Sequence, residues 1–338
     1  MRLLHALGGV LSLLALVSGC SETASMGTGG SGAAAAGTTG SAVAGTSGTG
    51  PATGAAASGT SGQGGGFACA SLPAGPITPT PVITTFDGSE DLAFDGKGHI
   101  AGKKGAQIVL IDANGVETHL ADVADGLFGL RYAKSGSLIA AVYSLGTLIE
   151  ISPAGQVSNY ASGFVVPNGV FPDNDGNVWV TETTGGKVTR VNPNKTVTTI
   201  VASAPSANGI VFDTARGVVF FTNYGAGKLM RKDPAGTSSP VEVASILGAK
   251  LDGLVMDACG NVYAMDQGNS RLYRVDLDPI GDSIGEPKLL ADFPKNVANA
   301  QFGSGVGFHD TSLYVAGTPG TVYELPVGVT GAPVVTSP

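Results

Sequence analysis

The sequence predicts an all-β domain folded as a six-bladed β-propeller with four-stranded blades. Three observations carry this. One phrase recurs six times, the copies are spaced by about forty residues, and each copy breaks into short strand-like runs divided by turn clusters. The copies begin at Ser89 (SEDLAFDGKGHIAGKKGAQIVLID), Leu127 (LFGLRYAKSGSLIAAVYSLGTLIEIS), Pro167 (PNGVFPDNDGNVWVTETTGGKVTRVN), Ala207 (ANGIVFDTARGVVFFTNYGAGKLMRKD), Leu251 (LDGLVMDACGNVYAMDQGNSRLYRVD) and Gly303 (GSGVGFHDTSLYVAGTPGTVYELP). Their second residues are separated by steps of 38, 40, 40, 44 and 52 residues. A four-stranded unit of this length is the pattern of a propeller blade.

Within a phrase, an apolar run (GVF, GIVF, GLVM) is followed by a turn cluster (PDNDGN, DTARG, DACGN) and by a β-branched and aromatic run (VWVTE, VVFFTN, VYAMD). A Gly-rich turn then leads to a third run (KVTRVN, KLMRKD, RLYRVD), and several copies close with a fourth, such as VTTIVA or KLLADF. The 52-residue step points to an insertion near 278–299. The sixth copy supplies only three such runs, so Pro81–Phe86 (PVITTF) is expected to add the outer strand of the last blade and leave no exposed edge. A seven-bladed ring is the structural alternative, although no seventh phrase is present.

The ends read differently. Residues 1–20 combine Arg2, a short apolar run and the sequence Val17-Ser18-Gly19-Cys20, the pattern of a secretory signal. It resembles a bacterial lipoprotein signal, in which Cys20 would be lipidated, and this places the protein in the cell envelope, anchored to a membrane. Residues 21–66 are almost wholly Gly, Ala, Ser and Thr with one charge, Glu22. Such a stretch cannot bury enough apolar surface to offset its ordering entropy, and reads as a tether spanning roughly 40 Å. Residues 67–338 are the propeller. Cys69 and Cys259 are the cysteines left there. In an exported protein they are candidates for a disulfide, with two free thiols as the alternative. The net charge of −8 and the lack of a basic cluster exclude nucleic acid as an expected partner and favour cations. A monomer acting on a small molecule is expected.

The phrase's second residue is Glu90, Phe128, Asn168, Asn208, Asp252 and Ser304 in turn. Residues at one phase of the innermost strands converge on the propeller axis. Glu90, Asn168, Asn208 and Asp252 would then present two carboxylates and two amide carbonyls at one mouth of the channel, an oxygen set suited to calcium or another divalent cation. The competing reading is that Asn-Gly and Asp-Gly recur because each blade needs a turn there; it leaves Glu90 unexplained. The ends of the second strands return to the same mouth. They nominate Glu182, Asn223 and Asp266 as residues extending the site, or else as hairpin caps. Phe128 is a candidate pocket wall and Ser304 a further member of the ring.

The Glu, Asn, Asn, Asp set in blades one, three, four and five resembles the senescence marker protein/gluconolactonase family, within the wider lactonase and paraoxonase-like group. The resemblance covers roughly 88–327. It implies that Glu90, Asn168, Asn208 and Asp252 bind a catalytic divalent metal and that Asp252 is the general base or nucleophile. Two positions depart from the family. Val166 stands where family lactonases carry an arginine that holds the sugar acid, and Glu90-Asp91-Leu92-Ala93-Phe94 replaces the usual Glu-Gly-Pro-x-Trp run. The resemblance therefore implies a calcium-dependent hydrolase of a lactone, ester or related bond, with a non-catalytic binding propeller as the alternative. The stretch DGNVWVTETTGGKVTRV is also similar to blades of streptogramin lyase-type and NHL-type propellers.

Overall fold

The computed structural model of the chain describes residues 69–317 and 320–333. The expected signal peptide, Cys20 and the tether 21–66 lie outside the described residues. Every strand belongs to one of six antiparallel four-stranded sheets among the described residues. Blade one is β2 (Leu92–Phe94), β3 (His99–Lys104), β4 (Gln107–Asp112) and β5 (Glu117–Asp122). Blade two is β6 (Leu127–Tyr132), β7 (Leu138–Val142), β8 (Thr147–Ile151) and β9 (Val157–Ser162). Blade three is β10 (Pro167–Pro172), β11 (Val178–Glu182), β12 (Lys187–Val191) and β13 (Val197–Val201). Blade four is β14 (Ala207–Asp213), β15 (Val218–Asn223), β16 (Lys228–Lys232) and β17 (Val241–Ser245). Blade five is β18 (Leu251–Met256), β19 (Val262–Asp266), β20 (Arg271–Val275) and β21 (Lys288–Asp292).

Blade six takes three strands from the end of the chain, β22 (Asn299–Phe302), β23 (Ser312–Ala316) and β24 (Val322–Pro326). Its outer strand is β1 (Thr80–Ile83), which pairs antiparallel with β24 (Thr80 opposite Glu324). That strand occupies the start of the segment 81–86 rather than all of it. Phe86 instead turns inward and is buried against Gly102, where a Cβ would meet its ring.

Six apolar clusters fill the seams between neighbouring blades. Blades one and two share Ala93, Ile108, Leu130 and Leu138; blades three and four share Trp179, Val188, Ile210 and Phe221; the seam between six and one holds Ile83, Leu92, Val109 and Tyr314. The alternation seen in the sequence is thus a two-sided burial, each blade facing a neighbour on both sides. The aspartates of the turn clusters have a structural task. Asp173 accepts from the backbone N–H groups of Asp175 and Asn177 and from Trp179 Nε1, and Asp257 likewise holds Cys259, Asn261 and the Tyr263 hydroxyl. The expected insertion is the connection 276–287 between β20 and β21, closed by a bridge between Leu277 and Ser283.

Before β1 the chain crosses the outside of blade five. The Ile77 N–H donates to Leu290 O (2.6 Å), Arg274 Nη1 donates to Pro73 O (2.8 Å), and Cys69 forms a disulfide with Cys259 in the β18–β19 turn. The bridge closes a loop with a sequence separation of 190 residues, long enough for cross-linking to restrict the unfolded chain strongly. Cys259→Ala is expected to lower stability by about 2–4 kcal/mol, read as a lower denaturation midpoint that added reductant no longer shifts.

Candidate functional site

In blades two to five the first strand pairs with the second through a register shift that inserts one residue. The shifts fall between Leu127 and Leu130, Pro167 and Val170, Ala207 and Ile210, and Leu251 and Leu254. Phe128, Asn168, Asn208 and Asp252 each sit at the start of this bulge, a device that re-aims a side chain. Two residues upstream the backbone is left-handed in blades one to four, at Gly88, Gly126, Val166 and Ser206. For Val166, a β-branched residue at φ 55°, this conformation is strained. The position where family lactonases carry an arginine thus forms the bend that leads into Asn168.

The glycine after each bulge residue is not there to make a turn. A Cβ on Gly129 would lie 2.5 Å from the carbonyl oxygen of Asn168; on Gly169, 2.3 Å from that of Asn208; on Gly209, 2.1 Å from that of Asp252. Each glycine lets its strand press against the bulge residue of the next blade. Two threonines lock the contact. Thr181 Oγ1 accepts from the Gly169 N–H (2.9 Å) and donates to Asn208 O; Thr222 Oγ1 accepts from the Gly209 N–H (2.8 Å) and donates to Asp252 O (3.0 Å). The recurring Asn-Gly and Asp-Gly pairs are therefore the joints of an interlocked inner ring, and the turn explanation does not apply.

Asn168, Asn208 and Asp252 are buried, and Glu90 is partly exposed. Asn208 Oδ1 and both carboxylate oxygens of Asp252 are buried without a hydrogen-bond donor. Three orphaned oxygens in one polar set are costly unless something positive meets them. Burial, followed by the charges of Glu90 and Asp91, raises the Asp252 carboxyl well above the usual carboxylate range. Burial and Asp91 push Glu90 up to about 7, against a hydrogen bond from Gln267 that lowers it. The donor set, hard oxygen only and anionic, fits a divalent cation such as calcium. Among the described residues no cluster of three or more His, Cys, Asp or Glu side chains is placed to hold a metal, so any such site must use the two amides.

Asp91 is separate from this set. Its carboxylate accepts the N–H groups of Leu92 (2.8 Å) and Leu130 (2.9 Å) and pairs with the Arg131 guanidinium, which also donates to Leu130 O and reaches Asn299 Oδ1 at 3.5 Å. This ion pair lies close enough to Glu90 and Asp252 to act on their carboxyls, and it joins blades one, two and six.

The remaining expected site residues are distributed as follows. Glu182 Oε2 accepts the Val165 N–H (2.7 Å), Asn223 Oδ1 accepts the Ala226 N–H (3.0 Å), and Asp266 holds the N–H groups of Lys250 and Asn269 and the Asn269 side chain. All three brace loops around the mouth. The residues that reach inward come one position later. Gln267 donates to Glu90 Oε1 (3.4 Å) and accepts the Tyr224 hydroxyl (2.9 Å), and Tyr143 stacks on Phe128 with ring centroids 4.0 Å apart. Tyr143, Tyr224 and Gln267 are the first residues of the turns that follow β7, β15 and β19. Burial, then the nearby Asp252 and Glu90, raise the Tyr224 phenol, which keeps it protonated and able to donate.

Ser304 is a correction. The inner strand of blade six is β22, where Asn299 pairs with Ala316 in the way Leu251 pairs with Asp266, and its ladder runs without the inserted residue. Blade six thus lacks the bulge found in blades two to five. Ser304 follows β22 and lies at the opposite end of the channel, 3.8 Å from where a Gly96 Cβ would stand.

Comparison with known proteins gives the fold a context. No family model matches the chain. A virginiamycin B lyase from Nocardia farcinica is 28% identical over 160 residues, 47% of this chain and 53% of that protein, so the match spans about half the length of the curated relative. Among solved structures, a calcium-binding regucalcin from Agrobacterium tumefaciens superposes with a TM-score of 0.61 at 18% identity, covering 78% of this chain and 98% of that one. A gluconolactonase from Xanthomonas campestris superposes with a TM-score of 0.60 at 17% identity, covering 75% and 98%. The chain has the six-bladed propeller fold of the gluconolactonase- and regucalcin-like proteins.

Proposed function

We propose that the protein is a divalent-metal-dependent hydrolase of a lactone, ester or related bond, with calcium the fitting ion. The observation that carries this is the set of orphaned oxygens on Asn208 and Asp252, from adjacent blades and next to Glu90 and Asn168. Glu90, Asn168, Asn208 and Asp252 would hold the ion, which when bound would polarise a substrate carbonyl and acidify a water. Asp252 takes the proton from the attacking water. Tyr224 and Gln267 orient the substrate's oxygen atoms at the rim, and the stacked Phe128 and Tyr143 flank its apolar part. Val166 stands where family lactonases aim a guanidinium at a sugar acid, which argues against gluconolactone as the substrate. The lipobox-like start of the chain supports a role at the cell envelope, tethered through Cys20. The test is turnover of a lactone and ester panel with calcium or chelator. Asn208→Ala is expected to reduce metal-dependent turnover by roughly a hundredfold; hydrolysis indifferent to both chelator and substitution would sink the reading.

The raised carboxyls also give a pH expectation. In the metal-free protein Glu90 binds its proton more tightly than in the unfolded chain, and so does Asp252. The folded state then carries more protons, and stability falls as pH rises from 4.5, the ordinary Glu value, through about 7. The chelated protein is expected to melt higher near about pH 5 than near about pH 8, and added calcium to raise Tm more at the upper pH.

A second reading, a non-catalytic binding propeller, is favoured by one observation: Gln267 donates to Glu90 and so closes a polar network over the mouth. It predicts ligand binding without turnover. Metal-dependent hydrolysis of any panel member would exclude it.

A further inference from the structure

We propose that the end of the channel opposite the oxygen set is a separate binding site for a neutral, planar, largely apolar small molecule. A cavity of about 880 Å³ opens there, within the roughly 300–1,000 Å³ range of small-molecule sites. The inner strands that place oxygen ligands at their beginnings place aromatic side chains near their ends. Phe94, Tyr132, Phe171, Phe212 and Phe302, from blades one to four and six, all line this cavity. Tyr132, Phe171 and Phe212 keep part of their surface free of protein contact. Large aromatic faces left open toward one axis are suited to a flat apolar guest, which would stack on them or meet them edge-on.

The charged groups at this end do not favour an anion: the guanidinium groups are compensated and the exposed Asp310 carboxylate in the lining repels one. Arg131 is paired with Asp91, and Arg216 is paired with Asp213 while donating to the carbonyl of Asp278, so neither guanidinium offers an uncompensated charge to an anion. The Tyr132 hydroxyl makes no hydrogen bond with the described residues. Burial holds that phenol above its ordinary range, so it remains a neutral donor for one acceptor on the guest. Gln301 gives its amide N–H to Leu92 O (2.7 Å), which leaves its carbonyl for a donor.

The wall is built in advance. Cys259 lines the cavity and is fixed by the disulfide to Cys69. The segment that follows blade six is strapped to the same turn, with Ala258 N–H donating to Thr330 O and Ala332 N–H to Met256 O, both 2.9 Å. A preformed wall lowers the ordering cost of binding. None of Glu90, Asn168, Asn208 and Asp252 lines this cavity, so occupancy here does not require the metal.

Trp179 reports on the site, because its ring stacks on Phe212 at 4.7 Å between centroids. The experiment titrates the neutral aromatic fluorophore N-phenyl-1-naphthylamine into the full chain while exciting tryptophan. Saturable one-to-one binding with energy transfer from Trp179 is expected, unchanged by chelator. Phe171→Leu, with the fold verified by circular dichroism, should weaken binding about fivefold. Thr214→Tyr, at an exposed turn on the rim, should obstruct it. Non-saturating uptake, loss of binding on chelation, or affinity indifferent to both substitutions would overturn the proposal.

Discussion

Gly209→Ala is expected to cost about 4 kcal/mol or more, lowering Tm by roughly 8–16 °C. The added methyl would lie 2.1 Å from the Asp252 carbonyl oxygen, a backbone atom held by Thr222, so no side chain can swing aside to admit it. Relief requires moving blade four away from blade five at the axis, where the channel strands are tightest. Gly225→Ala supplies the control. There the nearest atom is Ser206 Oγ at 3.3 Å, the end of a rotatable side chain, and the expected cost is under about 1 kcal/mol. Thermal melts of the two variants side by side decide the matter; equal effects would mean that the inner ring is not interlocked as described.

Asp252→Asn is expected to move stability and function in opposite directions. In chelator near about pH 8 the variant should be more stable than the parent by roughly 1–3 kcal/mol, because it removes a buried carboxylate that has no donor and faces Glu90 and Asp91. The same substitution should abolish the calcium-dependent rise in Tm and cut metal-dependent turnover by roughly a hundredfold or more. A purely structural aspartate would show the reverse, a loss of stability with no change in the response to calcium. Calorimetry with and without the ion, on parent and variant, separates the two.

These expectations rest on a fold that was largely legible in the sequence. Its blades are defined by local devices, namely an alternating apolar run, an aspartate-led turn and a Gly-rich hairpin, and each of these leaves a mark in the chain. Blade six was displaced in the reading because β22 has no Asn-Gly or Asp-Gly pair to mark it, while Gly303-Ser304-Gly305 just downstream imitates one. At the candidate site, the shared phase of Glu90, Asn168, Asn208 and Asp252 at or just before the inner strands is readable from the repeat, but the partners of the side chains around them are not. Asp266 and Asn223 brace loops, while their neighbours Gln267 and Tyr224 bond to Glu90 and to each other. That one-position difference is fixed by hydrogen bonding across the blades, and a single strand's sequence does not reveal it. The interlocking of Gly129, Gly169 and Gly209 was hidden for the same reason: a glycine needed for contact with another blade looks like a glycine needed for a turn.

The pairing of β1 with β24 also has a consequence for the order of events in the cell. A chain synthesised from its N-terminus exposes β1 first and β24 last. The first strand therefore waits without its partner until all six blades have emerged. A fragment ending anywhere between Asp252 and β24 carries Glu90, Asn168, Asn208 and Asp252 and can still pack blade one on blade two, yet its ring is open and blade one lacks its seam with blade six. Assembly of the four-oxygen set then waits on closure of the ring at β24, and a cation held there would favour closed rings over open ones.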